Sequence, residues 1–169
     1  MVKILFVCLG NICRSPAAEG IFRALANAAG LADRIEIDSA GTSGWNICRP
    51  PDPRAQAAIR RRGIDISGLR ARRTCSADFH RFDYLVAMDA ANLLALSAAC
   101  PAATEDRLHL LLDFAPETGC RDVPDPYYGG PEGFETMLNL IEAGAAGLLL
   151  AIRTRHFPND RSDAAAAEV

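Results

Sequence analysis

Residues 2–16 read VKILFVCLGNICRSP, and this stretch decides the fold. Val2 to Val7 form a continuous apolar, partly β-branched run, the pattern of a strand covered on both faces, and Gly10 bounds it. From Pro16 the text becomes AAEGIFRALANAAG, where Ile21, Leu25 and Ala28 recur at helical spacing and Gly30 supplies a stop. The order is strand, glycine-containing loop, helix. RIEIDSAG at 34–41 alternates and ends in glycine, so it reads as a second strand; YLVAMD at 84–89 and RLHLLL at 107–112 read as the next two. Helical text lies between them at about 53–62 and 90–99. In the last long element Phe134, Leu138, Ile141, Ala145, Leu148 and Ile152 step by four and three, drawing one apolar stripe down a helix that should close the core. Strands alternating with helices call for an α/β fold: a doubly wound, four-stranded parallel sheet with helices on both faces. Such sheets receive ligands at the carboxyl ends of their strands, and Cys8 sits at the end of the first.

The whole chain suits one compact domain: 169 residues, 50% of them hydrophobic and 23% charged. A single domain over 1–157 is expected, with the low-complexity tail PNDRSDAAAAEV frayed. A net charge of -3 gives no footprint for nucleic acid, and the clusters RRR at 60–62 and RARR at 70–73 read as solvated faces. Six cysteines in a chain this long are not a disulfide scaffold, and none has zinc-like spacing. The N-terminus is a poor signal peptide, and Ala143–Ile152 is about half the length a bilayer needs. A cytoplasmic protein without a membrane span is expected.

Chemistry concentrates between Cys8 and Ser15. If this segment wraps so that its backbone N–H groups converge above the sulfur, the concavity and the helix N-terminus behind it form an anion site. Gly10 permits the tight turn, Asn11 tolerates left-handed backbone angles, and Arg14 offers a planar fork to two phosphate oxygens. The same surroundings favour a thiolate at Cys8, a nucleophile in line with a bound phosphoryl group. Ser15 stands ready to donate to the sulfur as it leaves. A plain buried cysteine beside a helix cap remains the competing reading, and it treats the whole constellation as coincidence. The leaving oxygen needs a proton, and none of His80, His109 and His156 falls in loop text. Asp125, in VPDPYYGGPEGFE, is the candidate donor, stiffened by proline on both sides, with Tyr127 and Tyr128 as aromatic walls.

With VCLGNICRSP near the N-terminus and DPYYGG before the last helix, the chain resembles the low-molecular-weight protein tyrosine phosphatases over about residues 3–157. SAGTSGWNICRPPDPRA at 39–55 and FDYLVAMDAANL at 82–93 look like that family too. The resemblance implies hydrolysis of phosphotyrosine without metal or cofactor, through a phosphocysteine at Cys8. Arg14 would bind substrate and transition state, and Asp125 would protonate the phenolate and then activate water. The phosphate loop would comprise Leu9, Gly10, Asn11, Ile12, Cys13 and Ser15; Asn11 and Ser39 would hold its shape. Trp45, Tyr127 and Tyr128 would line a mouth whose depth favours phosphotyrosine over the shorter phosphoserine. Cys13 would protect the nucleophile through a reversible disulfide. Ile12 turns an apolar face to an aryl ring, where relatives acting on phosphoarginine tend to carry a smaller polar residue. Two alternatives stay open: an arsenate reductase, against which the wide spacing of Cys48, Cys75, Cys100 and Cys120 counts, and a non-catalytic phosphopeptide-binding module. Several members of the family carry a histidine where this chain has Leu69, before RAR, so a hydrogen-bond partner found in those members is absent here. Expected partners are phosphotyrosine proteins, a bacterial tyrosine kinase among them, and the expected state is a monomer or weak dimer.

Overall fold

The computed structural model describes residues 1–158; the proposed frayed tail lies otherwise outside the described residues. Strand β1 (Val2–Cys8) is followed by α1 (Arg14–Ala28), β2 (Ile35–Gly41), α2 (Pro53–Arg60), α3 (Ser76–Arg81), β3 (Tyr84–Ala87), α4 (Ala90–Ala99), β4 (Leu108–Leu110) and α5 (Pro131–His156). The four strands are parallel and ordered β2-β1-β3-β4. The chain leaves β1 for one side and returns to the other, so the order reverses between β1 and β3. The loops leaving these two strands diverge there and open a crevice at their carboxyl ends.

β1 is covered on both faces. Ile4 and Phe6 point into one apolar cluster with Ile21, Phe22 and the stripe of α5; Leu5 and Val7 point into a second with Phe79, Phe82 and Leu96. Every residue of the α5 stripe, Phe134 through Ile152, is at most 2% exposed. That helix is long enough to cross a bilayer and holds an 18-residue stretch of mean hydropathy 1.4, but its apolar stripe is already spent on the core against α1 and the sheet.

Two boundaries differ from expectation. α1 begins at Arg14, two residues before Pro16, because proline fits the first turn, where its missing N–H has no helical partner anyway. Its buried stripe runs through Ala18, Ile21, Phe22 and Ala26 and leaves Ala28 exposed. β4 covers only Leu108–Leu110, and Leu111–Phe114 winds into a 3-10 turn. That turn lies in a groove made by two glycines of α5: a Cβ on Gly144 would sit 2.6 Å from Leu111, and one on Gly147 would sit 1.8 Å from the Phe114 carbonyl oxygen. α3, six residues long, is too short to announce itself by period.

Candidate active site

The loop between β1 and α1 is built by tying its carbonyls outward. Those of Cys8 and Leu9 accept from the backbone N–H groups of Thr42 and Ser43, that of Ile12 accepts from Asp52, and that of Gly10 from the Asn46 side chain. The N–H groups of Leu9, Gly10, Ile12 and Cys13 donate to no atom among the described residues. A ring of unspent donors above a sulfur is an anion cradle. The turn depends on Asn11, whose φ is +53°, and on Gly41 beneath it, where a Cβ would come within 2.8 Å of the Leu9 carbonyl.

Cys8 lies at the bottom of the cradle, its Sγ 3.2 Å from the Asn11 N–H and 3.1 Å from Ser15 Oγ. Asn11 Nδ2 donates to Ser15 Oγ (2.9 Å) and to Ser39 Oγ (3.0 Å), and Ser39 in turn donates to Glu19 (2.7 Å). Asn11 and Ser39, expected to shape the loop together, are thus hydrogen-bonded to each other, and Ser15 joins them. Glu19 anchors the far end of this network, and Arg23 grips that carboxylate at 2.7 Å. Burial pushes the Glu19 carboxyl up, and its bonds from Ser39 and Arg23 pull the other way.

Arg14 is 2% exposed and reaches across the crevice. One terminal nitrogen donates to Asp89 and to the Val123 carbonyl (3.0 Å), and the other donates to Asp125 at 2.9 Å. Burial works against its charge, but Cys8, Asp89 and Asp125 outweigh it and hold the guanidinium above its ordinary value. Arg14 thus rests between two carboxylates, with the one from Asp125 half-exposed at the mouth. Cys13 is buried: desolvation first, then the Asp52 carboxylate and Cys8, push its thiol well above the ordinary range, so it sits protonated.

A cleft of about 330 Å³ opens over these groups. Cys8, Leu9, Gly10, Ile12, Cys13, Arg14, Trp45, Asp125, Tyr127 and Tyr128 line it, while Asn11, Ser15 and Ser39 lie behind its floor. Tyr127 and Tyr128 stand edge to face, ring centres 5.0 Å apart, and Arg54 lies over Tyr127 while donating to its carbonyl. The sequence reading missed Asp89, Glu19, Arg54 and Arg72. Asp89 carried a signal, an acidic helix cap directly after the strand beside β1; Glu19 carried a weaker one, a lone acid among apolar helix positions. Arg72 carried none.

Fold and site together define a thiol-centred phosphate cradle, the loop of a cysteine-dependent phosphatase. A family profile described as low molecular weight phosphotyrosine protein phosphatase matches residues 3–157. The low molecular weight protein-tyrosine-phosphatase YfkJ of Bacillus subtilis is 45% identical over 153 residues, covering 90% of this chain and 97% of that relative. The low molecular weight phosphotyrosine protein phosphatase of Homo sapiens is 41% identical over 141 residues, covering 80% and 85%. The crystal structure of a protein tyrosine phosphatase from Entamoeba histolytica, with Hepes in its active site, superposes with a TM-score of 0.89 at 35% identity, covering 91% of this chain and 98% of that one. The chain belongs to the low molecular weight phosphotyrosine protein phosphatase family.

Proposed function

We propose that the protein hydrolyses phosphotyrosine in two steps on one site. Asp125, displaced from Arg14 by the phosphate, takes up a proton from solvent; Cys8 then attacks phosphorus as the thiolate, the bond from phosphorus to the aryl oxygen breaks, and Asp125 delivers that proton to the departing phenolate. Asp125, now a carboxylate, takes a proton from water, whose oxygen attacks the phosphocysteine; the sulfur–phosphorus bond breaks and phosphate leaves. Arg14 and the loop N–H groups neutralise the three equatorial oxygens in both steps, and Ser15 donates to the sulfur as it departs. For a phosphate to use the Arg14 fork, it must take the place that Asp125 holds at rest, which frees that carboxyl at the mouth. The observation that carries the reading is Cys8 Sγ set beneath unspent N–H donors, with Arg14 and Asp125 joined above the same cleft.

The aromatic mouth favours a flat ring on a long arm, so phosphotyrosine proteins are the substrate class, a tyrosine kinase among them. Residues 1–157 act as one domain, monomeric or weakly dimeric, in the cytoplasm. Cys13 is buried on the same loop and serves as a resolving thiol: when a peroxide transfers an oxygen to the Cys8 sulfur and makes the sulfenic acid, Cys13 attacks that sulfur, gives up its proton to the departing hydroxyl, and the disulfide forms with release of water. Turnover of an aryl phosphate by wild type, and its loss in Cys8→Ser, tests the proposal. Thiol-coupled arsenate reduction in place of phosphatase activity, or tight phosphopeptide binding without turnover, would replace it with one of the two alternatives.

A further inference from the structure

Asn11 is the residue through which the loop is shaped, and its side chain has one more partner than the network from Glu19 supplies. Its Oδ1 accepts the backbone N–H of Arg72 at 2.9 Å, a residue 61 positions away. The carbonyl of the same Arg72 accepts from the N–H of Gly41 at 2.8 Å, and Gly41 is the residue on which the loop backbone rests. The main chain of Arg72 is therefore stitched to the end of β2 on one side and to the loop on the other.

What holds Arg72 there is its own side chain. The guanidinium donates to Asp38 Oδ2 through Nε (3.1 Å) and a terminal nitrogen (2.8 Å), and to both oxygens of Asp78 at 3.0 and 3.2 Å. Neither acid is loose: Asp38 is bonded to the Ser39 N–H on β2, and the buried Asp78 to the Cys75 N–H at the start of α3. A planar fork filled from two directions fixes position in a way a single ammonium does not.

We propose that Arg72 is a positioning residue for the nucleophile: clamped by Asp38 and Asp78, it holds Asn11 in the left-handed turn that aims the Asn11 N–H at Cys8 Sγ. The inference rests on the reading of Cys8 as the phosphatase nucleophile. Arg72 touches no substrate and acts only through Asn11.

The test compares wild type, Arg72→Met, Arg72→Lys, Asn11→Ala and the Arg72→Met/Asn11→Ala double variant on p-nitrophenyl phosphate, with thermal midpoints and the pH dependence of Cys8 alkylation by iodoacetate. Misplacement far from the chemistry costs on the order of tenfold to 100-fold. Arg72→Met should lose that much in kcat and shift alkylation toward alkaline pH. Arg72→Lys, charged but without the fork, should fall between it and wild type. The double variant should be no worse than Asn11→Ala, because both substitutions break one unit. Unchanged turnover and alkylation in Arg72→Met, or losses that multiply in the double variant, would overturn the proposal. If Arg72→Met does not fold, Arg72→Lys carries the decision: wild-type kcat and alkylation overturn it. Wild type that fails to turn over the aryl phosphate would sink the phosphatase reading instead, while the alkylation profiles would still report whether Arg72 orients the loop.

Discussion

Asp125 meets two demands at the scale of one side chain. It pairs with Arg14, and in the proposed reaction it serves the leaving oxygen once phosphate has claimed that arginine. Asp125→Ala should lose about 100-fold or more in kcat on substrates with poor leaving groups, and much less on an aryl phosphate with an acidic phenol. A series of substituted phenyl phosphates checks this; equal losses across the series would contradict the general-acid role. Glu19 makes a different prediction. Its folded pKa lies above the ordinary 4.5, so between these two values the folded state keeps a proton that the unfolded state has released. Its contribution to stability is therefore largest below 4.5 and is lost as pH rises through the folded value, with a slope of at most about 1.4 kcal/mol per pH unit. Denaturant midpoints from acid to neutral pH should show this decline in wild type and not in Glu19→Gln. Parallel profiles would count against it.

At the scale of elements, the site is a junction of strand ends. β1 delivers Cys8, the turn from β3 into α4 delivers Asp89, and the loop before α5 delivers Asp125. Asp89 has two tasks, since its Oδ1 accepts the Asn92 N–H at the start of α4 while its Oδ2 holds Arg14. The two tasks separate by substitution. Asn caps as well as Asp, so Asp89→Asn should keep the thermal midpoint within a degree or two and lower aryl phosphatase activity severalfold; Asp89→Ala should also lose about 1 kcal/mol of stability with its cap. A large thermal shift in Asp89→Asn would show that the ion pair, not the cap, stabilises this junction. The loop was legible because its parts are adjacent in sequence, and Cys8, Gly10, Asn11, Arg14 and Ser15 each carry a separate chemical reason. Asp89 and Arg72 were not legible in the same way. They act on the loop from 75 and 61 residues away, through contacts that only the strand order creates.

Across the whole molecule, the same split between local and long-range information explains what the sequence predicts well. The alternation of apolar strands with periodic helices specifies the parallel sheet, and the α5 stripe is buried as its period requires. The end of β4 is set by something no period encodes, the close approach of the Phe114 carbonyl to Gly147 on α5. Gly147→Ala should accordingly destabilise the fold by about 1–3 kcal/mol, or more if the 3-10 turn cannot shift, a cost of overpacking read from denaturant midpoints. A neutral outcome would mean the turn is not held against α5. The crevice at the strand-order reversal places a thiol, an arginine and a carboxylic acid within one cleft, where the proposed route carries the phosphoryl group through the sulfur. Acid quenching during turnover of an aryl phosphate, followed by peptide mass spectrometry, tests it most directly. The peptide containing Cys8 should carry a phosphoryl adduct on sulfur in wild type, accumulate more of it in Asp125→Ala with an acidic phenol as leaving group, and carry none in Cys8→Ser. Cys8→Ser turning over at the wild-type rate, or wild-type turnover with no adduct on Cys8 at any quench time, would contradict a covalent route through Cys8.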